Sequence, residues 1–170
     1  LKFHDIPNTV AQACKAAAGL GVWMLNVHAL GGRAMMQAAR EAVGTVSGRP
    51  RLIAVTILTS MAERDLQEVG IDATPRDAVL HLAALANQCG LDGVVCAAHE
   101  AGTIRDKMGE AFLRVTPGIR LPDDPVDDQK RVMTPRRAIE SGSSYLVIGR
   151  TITRAAQPLE VLARINSELA

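Results

Sequence analysis

The sequence predicts an α/β protein of the (β/α)8 TIM-barrel class, with its 170 residues covering about six of the eight βα units. Three observations carry this expectation. Short β-rich runs alternate with longer helical patterns along the whole chain, the signature of βα units and a parallel sheet. The run LIAVTIL within 51–58 is almost wholly apolar, as a strand covered by helices on both faces must be. Aromatic residues make up only 2%, so the core has to be aliphatic, with Phe3, Trp23, Phe112 and Tyr145 as its isolated large pieces. Such Ala-rich, aliphatic cores suit helices packed on a sheet.

The elements follow in order. Residues 1–3 read as the end of a strand that leads through Asp5, Ile6 and Pro7 into an Ala-rich helix, with Asn8 or Thr9 as its cap and Gly19 and Gly21 ending it. A strand over 22–29 is followed by Gly31, Gly32 and a helix over 34–43, with Ala34, Met35, Ala38, Ala39 and Ala42 on one stripe. After the strand at 51–58 come a short helical piece at 62–69 and a full helix over 75–89, which Thr74 caps and Pro75 opens. Strands at 93–98, 112–116 and 145–148 alternate with helices at 99–108, 135–141 and 157–169. A closed barrel needs eight such units in about 250 residues, so two further units are expected before Leu1, within one barrel domain that spans 1–170 here. An open doubly wound sheet is the alternative, but no G-x-G-x-x-G follows the first strand.

Composition removes several function classes. A net charge of +1 with dispersed Lys and Arg and few aromatics leaves no footprint for nucleic acid. No apolar run approaches the roughly 20 residues of a membrane span. Cys14, Cys89 and Cys96 form neither an even disulfide set nor a C-x-x-C pair, which fits buried thiols in a reducing, cytoplasmic setting. The segment 121–130, with Asp123, Asp124, Asp127 and Asp128, lacks the glycine and terminal Glu of a calcium loop and reads as a polar loop.

In a βα barrel the working residues lie at strand C-termini. That rule nominates Lys2, His4 and Asp5 after the first strand, His28 after the second, and Thr59 and Ser60 after the third. His99 and Glu100 follow the fourth, Arg120 the fifth, and Gly149 and Arg150 the sixth. Arg120 with Gly149 and Arg150 fits a phosphate site, because glycine lets the backbone approach an anion and a guanidinium can bind two of its oxygens. A turn glycine beside a solvated cation is the equally simple reading. Lys2 and Asp5 are three residues apart, so a continuous strand would point them to opposite faces. Asp5 therefore belongs past the strand end and can serve a neighbouring subunit. The histidines are not at ligand spacing, and no metal is expected.

The segment Leu1-Lys2-Phe3-His4-Asp5-Ile6-Pro7-Asn8-Thr9 is similar to the signature Asp-x-Lys-x-x-Asp-Ile-Pro-Asn-Thr of orotidine 5'-monophosphate decarboxylases. Similar segments follow in the family's order: Val22-Trp23-Met24, Asn26-Val27-His28, Leu58-Thr59-Ser60-Met61, Thr116-Pro117-Gly118-Ile119-Arg120, Asp128-Gln129 and Ile148-Gly149-Arg150. The resemblance implies conversion of orotidine 5'-monophosphate to UMP and CO₂ without metal or organic cofactor, by a homodimer with its active site at the subunit interface. It implies Lys2 as the catalytic lysine that protonates the pyrimidine carbanion and Asp5 as the carboxylate that crosses to the partner's site. Thr59 and Ser60 match the pyrimidine contacts, Ile6 and Thr9 further lining residues, and Arg120, Gln129, Gly149 and Arg150 the phosphate grip. The motif's first Asp would immediately precede Leu1, and a second lysine and another Asp would come from earlier strands, so the 170-residue chain alone is expected to be nearly inactive. Two readings compete: a magnesium-dependent sugar-phosphate decarboxylase or aldolase that shares the Asp-x-Lys-x-x-Asp core, and a remnant that binds nucleotide or only dimerises. Ile6-Pro7-Asn8-Thr9 speaks against the first.

Overall fold

A computed structural model describes residues 1–122 and 132–169. Six strands form one sheet in the order β1-β2-β3-β4-β5-β6, every neighbouring pair parallel. They are β1 (Lys2–Phe3), β2 (Met24–His28), β3 (Arg51–Val55), β4 (Gly93–Val95), β5 (Leu113–Thr116) and β6 (Tyr145–Leu146). Between and after them run α1 (Pro7–Ala18), α2 (Gly32–Gly44), α3 (Glu63–Glu68), α4 (Pro75–Gln88), α5 (Ala98–Met108), α6 (Pro135–Glu140), α7 (Arg150–Thr153) and α8 (Pro158–Leu169). Sequential parallel order with a helical crossover each time is the β/α-barrel pattern that the alternation predicts.

The strands are shorter than their apolar runs. In the run 51–58 pairing as a strand stops at Val55, yet Thr56 and Ile57 stay buried and Leu58 at its end is exposed, so burial extends past the paired strand. Thr56 holds on to the sheet through its Oγ1, which donates to the Val95 carbonyl at 2.7 Å.

Three local expectations are corrected. Helix α1 starts at Pro7, with Ile6 before it and no side-chain cap; Asn8 and Thr9 already lie inside the helix, because a proline at the first position needs no donor satisfied. On α2 the buried stripe is Met35, Met36, Ala39 and Val43, while Ala34 is exposed and Ala38 and Ala42 are only partly buried. The larger side chains turn inward because they bury more apolar surface than the alanines. Trp23 and Tyr145 are 58% and 43% exposed and lie outside the core, whereas Phe112 is buried. A short helix, α7, also stands where only a loop was read. The Thr74 cap holds, its Oγ1 accepting from the Asp77 amide at 3.1 Å.

The core lies between sheet and helices and is aliphatic, with Val10, Val27, Met35, Met36, Leu52, Leu66 and Ile104 among its buried members. Cys14, Cys89 and Cys96 are buried free thiols, as expected, and burial pushes Cys14 up to about 11. At the N-terminal ends of the strands, polar clips fix the register. Asp92 accepts from both Arg49 terminal nitrogens at 2.7 and 2.9 Å and from the Leu52 amide at 2.7 Å. Arg114 is fully enclosed and donates to the carbonyls of Gly142, Glu110 and Phe112 and to the Glu110 carboxylate. Gly93 has no alternative, since a Cβ there would run into the Leu113 backbone carbonyl across the β4–β5 pair.

Burial pushes the Asp92 carboxyl up, but the Arg49 hydrogen bond, the Leu52 amide and the charges of Arg49 and Arg40 outweigh it and hold it below its ordinary 3.8. A depressed carboxylate contributes stability above the unfolded value that is lost as pH falls through the folded one. Asp92→Asn should therefore lower unfolding free energy by about 2 kcal/mol in urea titrations at pH 7, and by progressively less as the pH is lowered below 4.

Candidate active site

Inward-facing side chains of the sheet surround a cavity of about 550 Å³. Its walls come from alternate strand positions: Met24 and Asn26 of β2, Ile53 and Val55 of β3, Val95 of β4 and Val115 of β5. Lys2 stands level with Asn26 in the β1–β2 pairing and opens on the same space, and Thr59 and Ser60 enter from the loop after β3. Among the described residues that line it, Lys2 is the one charged group. Lys2 is itself exposed, so its ammonium meets both the cavity and solvent, and a ligand anion entering the cavity would exclude part of that water and strengthen the pair.

Trp23 and Tyr145 also line the cavity, from the N-terminal ends of β2 and β6, and meet edge to face with ring centroids 4.9 Å apart. Sequence reasoning treated both as core pieces and gave Asn26 no role. The signal for Asn26 was a polar residue at an inward position of an otherwise apolar strand. Nothing in the sequence marked the aromatics as partners, since 121 residues separate them.

The other expected residues lie elsewhere. Asp5 is exposed outside the cavity and its Oδ1 accepts from the Ile6 amide at 2.7 Å. Ile6 and Thr9 are also exposed and do not line the cavity. Arg120 is buried, donates to the Ile119 carbonyl at 2.9 Å, and lines a separate cavity of about 320 Å³ with His99, Thr134 and Arg137. Gly149 and Arg150 stand where β6 gives way to α7, just after the lining residue Val147. Gln129 lies outside the described residues, as do Asp123, Asp124, Asp127 and Asp128. Glu100 is buried in the first turn of α5 and His99 beside it is exposed. His4 and His28 stack, with ring centroids 5.5 Å apart. Among the described residues no group of histidine, cysteine and carboxylate side chains is arranged to hold a metal ion, and no helix is long and apolar enough to cross a membrane.

Parallel strands that end on one rim, around an aliphatic cavity with an ammonium in its wall, define a β/α-barrel enzyme site. The chain belongs to the orotidine 5'-phosphate decarboxylase / HUMPS family, whose model matches residues 1–165. It is 64% identical over 170 residues to the orotidine 5'-phosphate decarboxylase of Chromobacterium violaceum, covering all of this chain and 69% of that protein. To the enzyme of that name from Hydrogenovibrio crunogenus it is 59% identical, over 99% of this chain and 72% of the relative. The crystal structure of orotidine 5'-phosphate decarboxylase from Lactobacillus acidophilus superposes with a TM-score of 0.85 at 42% identity, covering 99% of this chain and 72% of that one.

Ser60 lines the cavity from the loop after β3. Ser60→Trp should weaken UMP binding by more than about tenfold in calorimetric titrations, since a ligand cannot share filled volume, while circular dichroism stays that of the parent.

Proposed function

We propose that the protein decarboxylates orotidine 5'-monophosphate to UMP and CO₂, the closing reaction of de novo pyrimidine synthesis, as a carboxy-lyase. The observation that carries this reading is that Lys2, which the resemblance matches to the family's lysine, stands in the wall of the cavity that Thr59 and Ser60 also line. Loss of CO₂ leaves an electron pair on the pyrimidine carbon. The Lys2 ammonium lies beside that carbon, stabilises the growing negative charge more than the bound carboxylate, and donates the proton that completes UMP. Thr59 and Ser60 hydrogen-bond the pyrimidine edge. Arg120, Gln129, Gly149 and Arg150 grip the phosphate, and their binding energy orients the ring at a distance.

Asp5 acts in a second subunit. Its exposure outside its own cavity supports this, and so do the exposed apolar residues Ile6, Leu30 and Leu58, which follow β1, β2 and β3 on the same rim. A homodimer that buries them brings Asp5, Ile6 and Thr9 to the partner's cavity. The free buried thiols suit a cytoplasmic location. The sheet of the described chain has β1 and β6 as its edges, so the 170 residues alone are expected to turn over little substrate.

Loss of absorbance on decarboxylation of orotidine 5'-monophosphate tests the reading. Lys2→Ala in the complete enzyme should lower kcat by at least about 10³-fold, and a chelator should change nothing. Abolition by chelator would point instead to the magnesium-dependent sugar-phosphate chemistry. Neither Lys2→Ala nor Asp5→Ala should be active alone, but mixing the two should restore turnover, because a hybrid dimer carries one site with both groups intact. If mixing restores nothing while each variant folds, Asp5 is not shared between subunits.

A further inference from the structure

We propose that His28 is a positioning residue, whose ring, stacked on His4, clamps the chain where β1 turns from the cavity-lining Lys2 to the outward Asp5. The inference rests on the reading of Lys2 as the proton donor. The pairing of β1 with β2 is Lys2↔Asn26 and Phe3↔Val27, and carrying it one residue further sets His4 beside His28. The rings respond to that placement: their planes are 19° apart and their centroids 5.5 Å. The His4 ring also lies near Gly31: a Cβ at Gly31 would strike the Met35 thioether and stand 3.4 Å from the His4 Cδ2, so the glycine makes room for Met35 with the imidazole in van der Waals reach beside it.

Neither ring lines the cavity that holds Lys2. The pair therefore acts on the reaction through the backbone, by fixing His4 between an inward lysine two residues before it and an outward carboxylate one residue after it. Register alone does not hold this point, because β1 contributes only Lys2 and Phe3 to the sheet. The ring stack takes over where the ladder ends.

The clamp works when the His28 imidazole is neutral. The groups whose charge acts on His28 are Lys2 of β1 and His4 just past its end; its partner in β3, Val55, and the following Ala29 are apolar. Burial first, then His4 and Lys2, push the His28 pKa below its ordinary 6.5. The neutral form thus persists to lower pH than in a free histidine, and the stability it contributes is lost as pH falls below the unfolded value of 6.5 towards the folded one. Below that range a charged His28 ring would lie beside the Lys2 ammonium, and the turn would open.

The test compares His28→Ala, His28→Phe and Lys2→Ala in the complete enzyme. His28→Ala should lower kcat by about tenfold with KM within about threefold, since misplaced groups cost rate more than ground-state binding. His28→Phe keeps a flat ring without a titrating nitrogen, and should recover at least half of the parent kcat while its acid limb moves to lower pH. A His28→Ala kcat within twofold of the parent overturns the proposal. So does a His28→Phe variant that folds but is no faster than His28→Ala, or one whose acid limb is unmoved. Should His28→Ala fail to fold, the rate and pH profile of His28→Phe decide alone. Turnover by Lys2→Ala would sink the proton-donor reading itself; an inactive Lys2→Ala beside an unaffected His28→Ala removes only the clamp.

Discussion

Every strand in this sheet runs in the same direction, and the rest of the molecule depends on that constraint. Parallel pairing forces each connection to return the chain across a helix, which covers the outer face and makes the strands apolar on both sides. It also brings all six strand C-termini to one rim. Side chains that are far apart in the sequence thereby meet: Lys2 at the start of β1, Asn26 within β2, and Thr59 and Ser60 after β3 surround one cavity. A polar group at that rim can face the cavity without breaking the aliphatic layer beneath it.

The opposite rim has the complementary task. Arg49 with Asp92 and Arg114 with Glu110 lie where β3, β4 and β5 begin, and they tie strand to strand through charge-assisted hydrogen bonds. Gly93 lets β4 approach β5 closely enough for this pairing. Stability is concentrated at one end and chemistry at the other, so the reacting end can carry an ammonium in the cavity wall while the sheet stays in register.

Much of this was legible in the residues. The alternation of β-rich and helical stretches announces the βα units, and the strand-end rule with the Lys2–Thr9 motif singles out Lys2, Thr59 and Ser60. What stayed illegible has physical causes. Helix α1 begins one residue before its supposed caps because Pro7 satisfies the first-turn requirement by lacking an N–H. The α2 stripe is rotated because bulk, not the count of apolar residues, selects the buried face. Arg120 stands after the fifth strand as expected, and only the fold shows that the cavity it lines is shared with His99 and Arg137, since the direction of a side chain after a strand end follows from the loop it enters.

By itself, the sequence determined the class of fold, the order of its elements, the aliphatic nature of the core and the family motif, because these depend on local periodicity and on which residue types stand next to one another. The tertiary structure alone decided which strand-end residues share a cavity, that Trp23 meets Tyr145 across 121 intervening residues, and that His4 stacks on His28. Those pairings follow from strand register and loop direction. They are properties of how whole βα units pack, and no window of sequence contains them.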